Sequence, residues 1–261
     1  MLIFPQLTTG ASALYPVTKH GLQRTVMNAL ADGSTVVYRD PDAAIAGWEL
    51  RATGLTLAEW NAIESLFQQT SGMSQTFTFL DPLGNLLLQS ENFSAGAWTV
   101  GALAQVTAGI TDPFGTTRAT RLANTGQASA GLTQILNVPG DFQYCLSAWV
   151  RSTSGSAVTL AVANTSKSYV AGTQWRRVVL STNPGQPGAT TVAFGAQVAA
   201  GGSVELFGMQ AEAQPGPSEY KITGAIGGVF GKARFGSDQI AVTAQGSDVY
   251  DAVIQIVSTE S

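Results

Sequence analysis

The chain has 261 residues, of which 44% are hydrophobic and only 11% charged, with a net charge of −4. An average soluble domain carries roughly 25% charged residues, so the expected surface is polar but weakly charged, as in a subunit that buries much of itself in an assembly. The acidic balance and the lack of a Lys/Arg-rich stripe exclude nucleic-acid binding as the main task, and no apolar run of about 18 residues is available to span a membrane.

The start, Met1-Leu2-Ile3-Phe4-Pro5-Gln6, has no basic segment leading into a long apolar run, so no secretory signal is expected. Residues 34–40 and 46–52 read as two strands. In the second, Trp48, Leu50 and Ala52 share one face, while Glu49 and Arg51 point to the other. A helix over residues 57–70 follows. Thr56 with Glu59 forms a capping-box signature at its start. Leu57, Trp60, Ile63 and Phe67 make an apolar stripe, and Gly72 is placed to end the helix. Residues 75–80 form a strand with Phe77 and Phe79 on one face, stopped by Asp81-Pro82-Leu83-Gly84-Asn85.

Residues 86–221 are poor in charge and hold short strand candidates at 105–107, 117–122, 131–136, 144–151, 158–162, 175–180, 190–194 and 203–209. Turn signals such as Asp112-Pro113-Phe114-Gly115, Pro139-Gly140-Asp141 and Asn183-Pro184-Gly185 separate them. Evenly spaced short strands without helices indicate a sandwich or jelly roll. Residues 239–244 and 249–257 return to a longer strand pattern, with Tyr250, Ala252, Ile254 and Ile256 on one face. A tail of strands that short cannot close its own core, and the strand-helix-strand unit of residues 1–85 has too few strands to close either. The expected fold class is therefore mainly β: a discontinuous small β domain with one helix, residues 1–85 and 222–261, with a jelly-roll sandwich of residues 86–221 inserted at the Asp81–Asn85 turn.

Two segments resemble known families. Tyr15-Pro16, Trp48, Leu55-Thr56 with Glu59, Gly72, Phe77, Phe79 and Asp81-Pro82 resemble, in that order, the distal tail protein of long-tailed bacteriophages and its lambda-type minor tail relatives. That resemblance covers residues 1–85 and 230–261. It implies a β domain that closes a ring of six copies, with a tail-tube protein and other tail-tip proteins as partners, in the virion tail tip. Asn85 to Phe93 followed by Trp98, then Leu146 to Val150, Trp175-Arg176-Arg177, and Phe207 to Ala213 with Pro217-Ser218-Glu219-Tyr220 resemble jelly-roll modules of phage tail proteins. Those modules are similar to carbohydrate-binding modules, so the resemblance implies contact with host cell-surface polysaccharide. An adhesin or fibre subunit attached by its small domain is the alternative.

The chemistry points away from an enzyme. His20, the single histidine, has no Gly-x-Ser-x-Gly elbow beside it and reads as a surface-loop residue. One histidine and one cysteine, Cys145, leave no multi-histidine zinc site and no disulfide framework. Cys145 reads as a buried apolar residue. The carboxylates Glu91, Asp112, Asp141, Glu205, Glu212 and Glu219 sit in no hydrolase motif. No cofactor and no metal are expected. Trp98, Trp149, Trp175, Tyr144 and Tyr169 are the aromatic candidates for a sugar platform, of which Trp149 and Trp175 lie in strand-like runs and read as core. Tyr169, between Lys167-Ser168 and Ala171-Gly172, and Trp98, after a loop, are the candidate glycan contacts. Ring contacts are expected from strand edges and from a loop over residues 16–34.

Overall fold

The structure is a computed structural model that describes residues 1–259, with the side chains of Leu22, Arg24 and residues 39–45 outside the description. Strands β1 (Val17–Ala29) and β2 (Thr35–Leu55) precede helix α1 (Leu57–Gln69) and strand β3 (Phe77–Leu80). Then come β4 (Thr99–Val100), β5 (Ala104–Ile110), β6 (Ala119–Asn124), β7 (Ala130–Leu136) and β8 (Tyr144–Arg151). Strands β9 (Ala157–Val162), β10 (Thr165–Val170), β11 (Arg176–Thr182), β12 (Val192–Val198) and β13 (Ser203–Glu212) continue the run. The chain closes with β14 (Val229–Phe235), β15 (Val242–Gly246) and β16 (Val249–Ser258). The fold is mainly β, with antiparallel sheets and one helix among the described residues.

Contacts divide the chain into two compact units. One joins Met1–Thr8 and Ser12–Leu83 with the segment that begins at Phe230; the other is Thr9–Ala11 with Gly84–Val229. Residues 222–229 stay with the second unit. There the Thr223 hydroxyl donates to the Leu87 carbonyl at 2.7 Å, and the Gly228 amide donates to the Asn85 carbonyl at 2.8 Å.

In the first unit the sheet order is β1-β2-β16-β14-β3, with β15 on the side of β16. Alternation places Trp48, Leu50 and Ala52 of β2 and Ala252, Ile254 and Ile256 of β16 on the buried face. Helix α1 covers that face with Trp60, Ile63 and Leu66, beside Phe4, Phe77, Phe79, Phe230 and Phe235. The capping box is formed as the sequence indicates: Thr56 Oγ1 accepts from the Glu59 amide, and the Glu59 carboxylate accepts from the Thr56 amide at 2.9 Å. Leu57 does not join the stripe and is 45% exposed, while Leu66 is buried in its place. At 100° per residue, Leu57 stands about 110° from the centre of the Trp60-Ile63-Leu66-Phe67 face. Gly72 holds φ +65°, and a Cβ there would lie 2.5 Å from Asp238 Oδ1, so glycine is required where the helix ends.

Two sequence expectations are corrected here. Residues 34–40 and 46–52 are one strand, β2, and the expected loop over residues 16–34 is mostly strand β1. The two pair antiparallel from Val17 opposite Leu50 to Ala29 opposite Thr35. The distal half of this ribbon exposes both faces, so it carries no period-2 apolar signal. His20 accordingly lies exposed on a strand and not in a loop, with its ring over Gly47, where a Cβ would come within 2.3 Å of Nε2.

The second unit is a β-sandwich of two five-stranded antiparallel sheets, β10-β9-β12-β7-β4 and β11-β8-β13-β6-β5. Inward registers are apolar: Val158, Leu160 and Val162 on β9, Phe194, Ala196 and Val198 on β12, Leu146, Ala148 and Val150 on β8. Tyr144 packs edge-on against Phe194 at 5.3 Å, and its hydroxyl donates to the Pro139 carbonyl at 2.6 Å. Burial pushes the Cys145 thiol up to about 12, which keeps it an inert core residue. Asn124 closes the end of the sandwich by donating from Nδ2 to the carbonyls of Ala128, Val198 and Ala199.

Candidate functional site

The outward face of the sheet β11-β8-β13-β6-β5 carries the aromatic cluster of the sandwich unit. On β8 the inward set is Tyr144, Leu146, Ala148 and Val150, which turns Trp149 and Arg151 outward. Arg177 of β11 and Phe207 of β13 stand directly opposite Trp149, so the three form one row across the sheet. Trp149 lies 5.9 Å from Phe207, 5.4 Å from Tyr220 and 6.0 Å from Phe114, centroid to centroid. A bulge in β13 makes room for this packing. Gly208 takes φ +60°, and a Cβ there would meet the Tyr220 ring at 3.0 Å.

Two guanidinium groups sit on these rings, Arg177 at 4.7 Å from the Trp149 centroid and Arg118 at 5.1 Å from that of Phe207. Arg177 donates to the Ser218 carbonyl at 2.6 Å and to Ser147 Oγ at 2.9 Å. Its burial holds the guanidinium below the usual arginine range, partly offset by Glu212. Burial likewise raises the Tyr220 phenol, whose hydroxyl donates to Glu91 at 3.1 Å. Phe114, at the tip of the 112–116 turn, is 61% exposed above Trp149 and Phe207. An exposed ring over a fixed aromatic and cationic floor is suited to stack the apolar face of a sugar and to hydrogen-bond its hydroxyls.

The two residues nominated from sequence lie apart. Trp98 is 5% exposed, packs on Phe93 at 5.2 Å and donates from Nε1 to the Gln89 carbonyl at 3.0 Å. With both ring faces covered, it is a packing residue next to β4. Tyr169 is half-buried on β10, at the opposite edge of that sheet. Its hydroxyl donates to the Val179 carbonyl of β11, and Lys167 Nζ lies 5.3 Å from its ring centroid. Trp149 and Trp175, expected in the core, are both half-buried and carry guanidinium groups; Arg151 lies 4.7 Å from the Trp175 ring. The missed ring, Phe114, did have a signal: a large aromatic residue inside a Pro-Gly turn has no core to enter locally.

Four carboxylates of the sandwich are engaged by cations. Arg118 pairs with Glu91 at 3.0 Å and Asp112 at 3.1 Å, Arg121 with Glu205 at 3.2 Å, and Lys221 with Glu212 at 3.2 Å. Among the described residues, no group of three or more His, Cys, Asp or Glu side chains is placed to hold a metal ion.

The first unit offers a different surface. Beyond Ala46, β2 is no longer paired with β16, so residues 24–40 form a two-stranded arm. Its tip is a turn in which the Ser34 amide and hydroxyl donate to Asp32 Oδ1 at 2.9 and 2.7 Å. The arm exposes Met27 (66%), Val37 (58%), Tyr38 (54%) and Leu30 (47%).

No protein-family model and no curated protein matches this sequence. Solved structures are similar to it. The enzymatically active domain of tailspike protein 4 of bacteriophage CBA120 shares 19% identity at a TM-score of 0.39, over 51% of this chain and 22% of that one. A xylan-binding domain of the CBM22 type from Paenibacillus barcinonensis shares 15% identity at a TM-score of 0.40, over 49% of this chain and 94% of that one. The C-terminal family 22 carbohydrate-binding module of a Clostridium thermocellum protein shares 18% identity at a TM-score of 0.40, over 52% of this chain and 97% of that one. None of these likenesses is close enough to assign a ligand or an activity.

Proposed function

We propose that the chain is a non-enzymatic structural subunit of a bacteriophage tail tip, a distal-tail-type ring protein whose sandwich unit contacts cell-surface glycan. The observation that carries this reading is the arm. Among the described residues, residues 24–40 pair only with each other, and four large apolar side chains stand exposed on a chain with few charges. An isolated two-stranded ribbon is marginally stable in water, and its two free edges invite strands of another chain. Neighbouring copies that close a ring satisfy both edges of every arm without an open end. The number six and the tail-tube partner come from the resemblance of residues 1–85 and 230–261 to distal tail proteins.

Native mass measurement and negative-stain imaging test the ring, with the chain alone and with its tail-tube protein. Closed rings are expected. The double variant Met27→Glu, Val37→Lys keeps an attractive pair across the arm and makes that face polar; it is expected to shift the population to single copies. Single copies from the unmodified chain in both samples would overturn the reading. They would favour an adhesin or fibre subunit, for which the exposed Phe114 above Trp149 is the supporting observation.

A further inference from the structure

We propose that the edge of the sandwich where β10 and β11 lie together is a binding site for an acidic sugar, with Tyr169 as the platform and Lys167 and Arg176 as carboxylate ligands. The inference rests on the glycan-contact reading of this unit and names a second surface and a ligand class for it.

The register places the three side chains. Lys167 and Tyr169 stand opposite Leu160 and Val158, both fully buried, so they occupy inward positions of one sheet. Arg176 stands opposite the buried Val150, an inward position of the other sheet. Inward positions of a sandwich are normally apolar. Here each edge strand instead brings a cation to the gap between the sheets. The Tyr169 hydroxyl bridges that gap by donating to the Val179 carbonyl, which fixes the ring. Lys167 Nζ lies 5.3 Å and Arg176 Cζ 5.8 Å from the centroid of this one ring.

Neither cation is held by a carboxylate. Among the described residues, Arg118, Arg121, Arg151 and Lys221 of this unit each pair with a carboxylate, whereas Lys167 and Arg176 pair with none. Both are exposed. An inward-pointing charge also protects an edge strand against pairing with another chain, but that role needs no fixed ring within reach of two cations that pair with no carboxylate. A carboxylate held by an ammonium and a guanidinium makes charge-assisted hydrogen bonds, and the apolar face of the same sugar covers the ring.

The test is affinity electrophoresis of the full chain in gels carrying polygalacturonate, alginate or polysialic acid, with methyl-esterified polygalacturonate and dextran as neutral controls. Retention by at least one acidic polymer, weakened by salt and lost on esterification, is expected. The double variant Lys167→Gln, Arg176→Gln changes only exposed side chains and is expected to weaken retention by on the order of tenfold or more; Tyr169→Ala should weaken it too. Acidic polymers that retain the double variant as well as the unmodified chain, or retention by the neutral polymers alone, would overturn this site and leave the glycan-contact reading standing. Retention by none of the polymers would overturn both.

Discussion

Asp112 shows how a turn residue becomes a structural centre. Its side chain is buried, and it accepts from the Phe114 amide at 2.7 Å, the Thr116 amide at 3.2 Å, the Thr116 hydroxyl, and Arg118 Nε at 3.1 Å. Burial alone would raise its pKa; the donors, led by the Thr116 hydroxyl, outweigh burial and hold the carboxyl down to about 2. A depressed folded pKa contributes stability above the unfolded value, 3.8, and that contribution is lost as pH falls through 3.8 towards 2. Asp112→Asn should therefore cost roughly 1–2 kcal/mol at pH 7, with a gap to the unmodified chain that narrows below pH 4. Thermal denaturation of both chains at pH 7 and pH 3 reads this directly; equal melting at pH 7 would mean that the carboxylate contributes nothing. The sequence marked Asp112 as a turn carboxylate before Pro113. It did not reveal that the same turn lifts Phe114 over Trp149, because that contact joins residues distant in the chain. The cover of Trp98, Phe93 and the Gln89 carbonyl, likewise depends on how the loop folds back.

At the scale of elements, legibility followed locality. Helix α1 was readable because its cap, stripe and terminating glycine all act within a few residues. Its cap also extends further than the motif. Glu59 Oε1 accepts from the Thr8 amide at 2.8 Å and the Thr8 hydroxyl at 2.7 Å, so one carboxylate ties the N-terminal segment to the helix start. Thr56→Ala should cost about 1 kcal/mol, and Glu59→Ala more, because it also releases Thr8. Urea denaturation with unchanged midpoints for both variants would sink this account of the cap. Strand β8 matched its expected bounds, 144–151, because its inward face is apolar throughout. Strand β10 was not anticipated, since Thr165-Ser166-Lys167-Ser168 is a polar edge with a single flanking pair. Strand β14 was missed too: Gly231, Lys232 and Arg234 interrupt its apolar residues, although Phe230, Ala233 and Phe235 all reach the core. The β1–β2 arm hid because pairing alone, with no buried face, sustains it.

For the whole molecule, the division into two compact units leaves each with its own core. The first is built around Trp48, whose Nε1 donates to Asp81 at 3.0 Å, with Lys19 on the same carboxylate at 2.6 Å. The second has Phe194 and Tyr144 at its centre. Both Trp48 and Phe194 are fully buried, so truncation of either should cost roughly 3–5 kcal/mol in its own unit. Units with separate cores melt as separate cooperative blocks when little energy couples them. Calorimetry of the full chain is therefore expected to show two transitions. Trp48→Ala should lower one of them by several degrees and leave the other in place, and Phe194→Ala should do the reverse. If both variants instead move a single shared transition, the two units fold as one cooperative body. The sandwich would then be part of the first unit's stability, and deleting it would destabilise that unit as well.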